Sequence, residues 1–125
     1  MTKNYSKIHL EDAPRHELHD ALGLTGAEVS INTLPAGVAV PFVHEHQHNE
    51  ELYGVLEGSG EFYLDGEVIK IQVGDWIRVL PKCHRAIRSS DKSALRFICI
   101  QTKVNSLEGF TMGDGVICQD KAPWH

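Results

Sequence analysis

The sequence predicts an all-β fold, a sandwich or a barrel, and three observations lead to that prediction. Short runs rich in β-branched and aromatic residues recur about every 8–12 residues and are separated by Gly, Pro or Asp. Helical segments do not alternate with these runs, which argues against parallel βαβ units. The chain has 125 residues, 42% of them hydrophobic, without an internal repeat or a compositional break. We therefore expect a single domain with an ordinary core.

The predicted strands begin at Val29–Leu34, where apolar and polar residues alternate before a Pro-Ala-Gly stop. The glycine-rich stretch Glu57–Gly60 predicts a turn between the second and third strands. Beyond the first, strands are expected at Leu52–Leu56, Glu61–Leu64, Val68–Val73, Trp76–Leu80 and Leu95–Gln101.

The two ends of the chain differ from this central region. Asp12 resembles an N-cap and Pro14 an early helical proline, so a short helical turn is expected over Arg15–Leu22. The expected organisation is a leader over residues 1–27, a barrel over 28–105 and a C-terminal extension over 106–125. A short strand at Val116–Cys118 should pack that extension against the outside of the barrel.

Composition and charge argue against several classes of partner. The net charge is -5, the pI is near 5.9 and the 12 basic residues form no run, whereas nucleic-acid binding needs concentrated Lys and Arg. No stretch approaches the roughly 18–20 apolar residues that span a bilayer, and Met1–Leu10 lacks the apolar core of a signal peptide. Three widely spaced cysteines fit a reducing compartment. We expect a cytoplasmic protein that binds neither nucleic acid nor membrane.

A cluster of histidines points to metal chemistry. His44, His46 and His48 occupy alternate positions, and alternate side chains of a strand share one face. Glu51 follows after a gap that lets the chain turn and enter the next strand. Imidazoles with one carboxylate suit zinc, manganese, iron, nickel or cobalt. His84 could supply a third imidazole from a later strand or the loop before it.

The spacing of these residues resembles the first motif of the cupin superfamily. That motif is a glycine, a spacer, H-x-H, three or four residues, a glutamate, six residues and a glycine. This chain has Gly37, His44-x-His46, Glu51 and Gly58. Glu50 would fit the shorter spacer, but only Glu51 places the closing glycine correctly.

A second stretch resembles the second cupin motif, in which Gly-Asp is followed by a strand, a proline and a histidine. Here these are Gly74, Pro81 and His84. Six residues separate Gly74 from Pro81 where the family usually has five. The family continues P-x-G-x-x-H, whereas this chain has the shorter P-x-x-H, and Arg88 stands where the family has an asparagine.

The resemblance implies a double-stranded β-helix, or jelly-roll, barrel. It also implies one divalent metal ion per chain, Mn, Fe, Ni or Zn, on His44, His46, Glu51 and His84. Small cupins pair through barrel edges or exchanged terminal strands, so a homodimer is expected.

Alternation of side chains extends the candidate site. Phe42 shares a face with the metal-binding histidines, and Trp76 with Arg78 forms one face of a later strand. If that face lines the cavity, Arg78 could bind a substrate carboxylate or phosphate; otherwise it is a surface residue. His48 and Tyr53 are candidate acid–base groups, although Tyr53 could equally be a buried structural residue.

A fold does not fix a function, and cupins carry out many reactions. A site of three histidines and one glutamate resembles those of sugar isomerases, small-carboxylate lyases, oxalate-handling enzymes and iron dioxygenases. We expect a metal-dependent enzyme that acts on a small oxygen-rich metabolite, a sugar or sugar acid, by isomerase-like proton transfer. An iron-dependent dioxygenase and a non-enzymatic module that binds a metal or a small ligand are the alternatives.

Overall fold

Seven strands and one four-residue helix form the regular structure of residues 3–125, the residues that the computed structural model describes. In chain order they are β1 (Arg15–Glu17), α1 (His19–Leu22), β2 (Glu28–Leu34), β3 (Asn49–Leu64), β4 (Glu67–Gln72), β5 (Trp76–Val79), β6 (Arg85–Ser89) and β7 (Leu95–Lys103). The predicted all-β barrel is confirmed. No helix within this described range has the length and apolar character needed to span a membrane.

Strand β3 joins two antiparallel sheets into the barrel. Its first part pairs with β7 and β5, and its second part pairs with β4 and β6. The first sheet continues from β7 through β2 to β1. The register along β3 and β7 shifts between Val55 and Glu57, which marks a β-bulge. A bulge bends a strand and increases its twist, so β3 can pass from one sheet into the other.

The turn predicted at Glu57–Gly60 is wrong, because β3 continues through it. The two glycines are required there by close backbone contacts. A Cβ on Gly58, whose φ is 77°, would lie 1.7 Å from the Ala94 carbonyl oxygen, and one on Gly60 would lie 2.1 Å from the Arg88 carbonyl oxygen. Glycine in a strand often marks such an approach rather than a chain reversal.

The N-terminal helical turn is shorter than predicted. Arg15–Glu17 pairs with β2 as a strand, and only His19–Leu22 is helical, ending at Gly23 with a φ of 69°. Hydrogen bonding to an existing sheet outweighs the weak helix preference of a few residues. The leader therefore contributes a strand to the first sheet.

The C-terminal extension does not pack as predicted. Val116–Cys118 forms no strand, and the side chains of Val116 and Ile117 are 85% and 99% exposed. The backbone hydrogen bonds of this glycine-bearing segment are local, as between the Gly113 nitrogen and the Gly109 oxygen at 3.2 Å. Short-range turns therefore replace the expected pairing with the barrel.

The core lies between the sheets and forms the floor of a cavity. Phe62 and Leu95 are fully buried, and Tyr53 packs its ring against Phe62 and Phe97 at centroid distances of 4.7 and 5.9 Å. Alternate positions of β3 and β7 supply these side chains. The same alternation turns further side chains of β3 toward the cavity, where the candidate site is built.

Candidate metal centre

An extended segment before β3 carries the two histidines. The backbone of His44 pairs with that of Arg85 in both directions, at 3.1 and 3.0 Å, and the His46 nitrogen donates to the Pro81 oxygen at 2.8 Å. The segment thus runs beside β6 as a strand would. Its alternate side chains point the same way, which directs both imidazoles into the cavity.

Glu51 is brought to the imidazoles by β3. It lies opposite Val79 on one side and Gln101 on the other, and it is only 5% exposed. Tyr53 and Val55 follow on the same buried face. The carboxylate is therefore placed by a central strand with neighbours on both sides, which fixes its position.

The donor atoms of His44, His46 and Glu51 all lie within 4.8 Å of one another. His46 Nε2 is 3.2 Å from one Glu51 oxygen, and His44 Nε2 is 4.0 Å from the other. His46 Nε2 is buried and lacks a hydrogen-bond partner among the described residues. Two imidazoles and one carboxylate form a donor set that transition metals and zinc accept. These three residues fit a divalent metal ion.

The surroundings favour the metal-binding form of His44 and orient the carboxylate of Glu51. Burial lowers the pKa of His44, with further lowering by Arg85 and His46 and an opposing effect of Glu51, so its imidazole is neutral at neutral pH. The Tyr53 hydroxyl donates to Glu51 Oε1 at 2.8 Å, and Cys99 Sγ lies 3.3 Å from Oε2. Both donors orient the carboxylate.

These two donors are themselves held in their protonated forms. Burial raises the pKa of Cys99 to about 12, assisted by the charge of Glu51. Burial also raises the pKa of Tyr53 above its ordinary value, and the neighbouring Cys99 and Glu51 add to the rise. Tyr53 therefore serves as a fixed hydrogen-bond donor, the structural alternative that the sequence left open.

His84 is not part of this cluster, which corrects the predicted fourth ligand. Its side chain is 58% exposed, and Nε2 lies 3.7 Å from a carboxylate oxygen of Glu45. Its backbone nitrogen donates to Asp65 Oδ1 at 2.8 Å in the loop before β6. His84 therefore lies at the surface beside Glu45.

Arg85 takes the inward position that His84 was expected to fill. The buried face of β6 consists of Arg85, Ile87 and Ser89, so the side chain before Arg85 points away. The spacing gave a signal that was missed. In the resembled motif, eleven positions lead from the glycine to the histidine, and eleven positions from Gly74 lead to Arg85. The extra residue before Pro81 is offset by the shorter loop after it.

The remaining predicted residues divide between the cavity and the outer surface. Phe42 lines the cavity, with its ring 5.8 Å from that of His44. His48 is exposed and lies outside the lining. Trp76 and Arg78 are also exposed, because the buried residue of β5 is Val79. The ring of Trp76 covers Gly54 on the outer face, so neither Trp76 nor Arg78 reaches the cavity.

The cavity has a volume of about 670 Å³. Its walls combine apolar side chains with a few polar groups, which is the usual character of a small-molecule site. Buried Ser30 and Asn32 lie on β2, and Asn32 accepts a hydrogen bond from Arg15 at the cavity edge. Sequence reasoning missed Arg85 and Cys99 as residues of the site. Alternation on β7 could have placed Cys99 inward, but its pairing with β3 could not be read from the sequence.

A family model described as a cupin domain matches residues 30–101 of this chain. Among curated proteins, an uncharacterized protein of Methanocaldococcus jannaschii is 35% identical over 57 residues. That match spans 46% of this chain and 46% of the relative, so about half of each protein is compared.

Solved structures share the fold. A cupin protein from Bacteroides fragilis is 55% identical, with a TM-score of 0.91 over 94% of this chain and 99% of that one. A protein proposed to be a sugar phosphate isomerase, from Acidithiobacillus ferrooxidans, is 24% identical, with a TM-score of 0.63 over 72% of this chain and 58% of that one. The second likeness concerns the fold alone.

Proposed function

This chain belongs to the cupin domain family, and from that premise we propose that it is a metal-dependent enzyme acting on a small oxygen-rich metabolite. His44, His46 and Glu51 would hold one divalent ion, Mn, Fe, Ni or Zn. The observation that carries the proposal is the convergence of three donor atoms within 4.8 Å at the wall of a cavity of about 670 Å³. A sugar or sugar acid matches such a site in size.

The side chains of the site have two different roles, metal binding and orientation of the ligands. The imidazoles of His44 and His46 and the carboxylate of Glu51 supply the ligands. Tyr53 and Cys99 orient the carboxylate. Such outer donors commonly tune ligand geometry. A bound divalent ion would supply a Lewis acid that polarises the oxygens of a substrate. The apolar walls of the cavity would keep those oxygens apart from bulk water.

Isomerase-like chemistry needs a proton-transfer group beside the metal ligands. His48 is exposed outside the cavity lining, and the Tyr53 proton is held by burial and by Glu51. Neither of the two groups expected from the sequence is therefore suited to move a proton at the metal site.

This observation favours a second candidate, an iron-dependent dioxygenase. Two histidines and one carboxylate, with the remaining coordination positions open, are typical of non-haem iron(II) oxygenases. The three grouped ligands fit that pattern, and such a reaction makes no demand on His48 or Tyr53 as a proton donor.

Metal content tests the proposed ligands. Elemental analysis of tag-free protein is expected to give one ion per chain, and His46→Ala is expected to lose most of it. His48→Ala is the matched control, because its side chain is exposed and two positions away. Similar losses in both variants would contradict the assignment.

Two assays then separate the reactions. Metal-loaded protein is mixed with aldoses, ketoses and uronic acids, and NMR monitors exchange of the proton next to the carbonyl; the iron-loaded form is tested for oxygen consumption. Proton exchange supports the isomerase-like reaction, and substrate-dependent oxygen uptake supports the dioxygenase. Binding of a compound without either signal would identify a non-enzymatic binding module.

A further inference from the structure

Arg85 is a fully enclosed cation in the wall of the cavity. Its side chain is 1% exposed, and its backbone is paired with that of His44 at the start of β6. The Nη2 group donates to the Leu80 carbonyl oxygen at 2.7 Å. Backbone pairing at one end and this hydrogen bond at the other hold the guanidinium in one orientation.

Part of the guanidinium has no partner. Nε and Nη1 are buried and make no hydrogen bond to any residue in the range 3–125. The nearest acceptor charge is Glu51 Oε1, 3.6 Å from Nη1, which is beyond hydrogen-bond length. Buried polar groups in native proteins are nearly always paired, so two unpaired donors of a charged group call for an acceptor.

Glu51 cannot serve both as the ligand of an ion and as the full partner of Arg85. Its Oε1 already accepts the Tyr53 hydroxyl, and its Oε2 lies beside Cys99 and His46. The two donors of Arg85 are unpaired beside the Glu51 carboxylate, so their need for an acceptor does not depend on a metal ion. A divalent ion would leave this wall of the cavity with excess positive charge, which favours an anionic ligand.

We propose that Arg85 binds an anionic group of the molecule that occupies the cavity, through one of its unpaired donors, Nε or Nη1. The parallel N–H pairs of a guanidinium are Nε with Nη2 and Nη1 with Nη2, so each of the two unpaired nitrogens would donate to an oxygen of its own. A charge-assisted hydrogen bond of this kind favours an oxygen of a carboxylate or a phosphate. The ligand class narrows from oxygen-rich metabolites to acids such as sugar acids or sugar phosphates. This inference rests on the proposed function for the neighbouring metal, but anion binding itself can be measured without metal.

The first experiment uses chelator-treated full-length protein, with malonate as the carboxylate probe and inorganic phosphate as the phosphate probe. Glycerol at matched ionic strength is the neutral control. Two-dimensional NMR follows the Arg85 Nε–H resonance, so wild-type protein alone gives a result. We expect this resonance to shift with malonate, phosphate or both and to stay in place with glycerol. The anion that binds with the higher affinity shows whether the site prefers a carboxylate or a phosphate.

Variants then test whether Arg85 carries the affinity. Arg85→Gln should weaken binding of the preferred anion at least about tenfold, as expected for loss of a charge-assisted pair. Arg78→Gln is the matched control, since Arg78 is exposed on the outer face of β5. Arg85→Lys keeps the charge without the guanidinium donors, and it replaces Arg85→Gln if that variant does not fold. Binding of neither anion, or unchanged affinity in the Arg85 variant, would leave Arg85 as a partner of Glu51 alone and overturn the inference.

A zinc titration separates this inference from the proposed function. Arg85→His would replace a cation with an imidazole ligand beside the three donor residues His44, His46 and Glu51. The zinc affinity of this variant should therefore rise at least about tenfold over wild type. An unchanged zinc affinity would contradict the inward position of residue 85. Wild-type protein that binds the anions but no zinc would refute the metal proposal and leave the anion site standing.

Discussion

The hydrogen bond from Tyr53 to Glu51 gives the sharpest test of how the site is built. Tyr53→Phe removes only the hydroxyl, and the ring keeps its contacts with Phe62 and Phe97. The lost bond is 2.8 Å long and joins two side chains that are both 5% exposed. Hydrogen bonds to charged groups contribute about 1.5–3 kcal/mol, and burial leaves no water to replace the donor. We expect the free energy of unfolding of metal-free protein to fall by that amount.

The assay is thermal unfolding of chelator-treated protein at neutral pH. For a chain of this size, 1 kcal/mol corresponds to roughly 3–6 °C in Tm, so Tyr53→Phe should unfold about 5–15 °C lower. Tyr63→Phe is the matched control, because Tyr63 lies on the same strand but is 37% exposed. Its Tm should change by no more than about 2 °C. A similar small change for Tyr53→Phe would refute the view that this hydroxyl stabilises the buried carboxylate.

Two further predictions follow from the same structure. Burial raises the pKa of Cys99 from 9.0 to about 12. Above pH 9 the folded state therefore binds more protons than the unfolded state. The free energy of unfolding should fall between pH 9 and 12, by up to about 1.4 kcal/mol per pH unit. The urea midpoints of metal-free protein at pH 8 and pH 10 measure this loss of stability. The loss should be smaller in Cys99→Ala. An equal loss in that variant would show that another group causes it. We also predict a homodimer, because large apolar side chains of the C-terminal segment are 73–99% exposed: Leu107, Phe110, Met112, Val116, Ile117 and Trp124. Light scattering should give twice 13.9 kDa for the full chain and a monomer after deletion of residues 106–125, whereas a 13.9 kDa full-length particle would contradict the prediction.

The sequence predicted the parts of the site that depend on local spacing. His44 and His46 are two positions apart on one extended segment, so alternation alone directs them together. Glu51 follows five positions after His46 and is the first residue of β3 whose side chain points inward. The position of His84 depends instead on how β6 pairs with β3 and with the segment at His44, and a shift of one residue reverses the face of every side chain. Alternation alone could not set that register, although the count of eleven positions from Gly74 pointed to Arg85.

The errors in the fold have the same origin. Glu57–Gly60 has the composition of a turn, yet β3 passes through it because the backbones at Ala94 and Arg88 approach the glycines. Arg15–Glu17 has a weak helix signal that pairing with β2 overrides. In both cases the deciding partner is distant in sequence, so no local pattern identifies it.

The continuity of β3 also has a consequence for how the chain folds. This strand pairs with β4, β5, β6 and β7, and its first residue, Asn49, lies opposite Lys103. Neither sheet can close before segments from both halves of the chain have met, and topologies of this kind fold slowly, in about milliseconds to seconds. A chain divided within β3 would leave each fragment without the strand that connects its sheet to the other. Complementing fragments should therefore be sought from cuts at the Asp65-Gly66 turn.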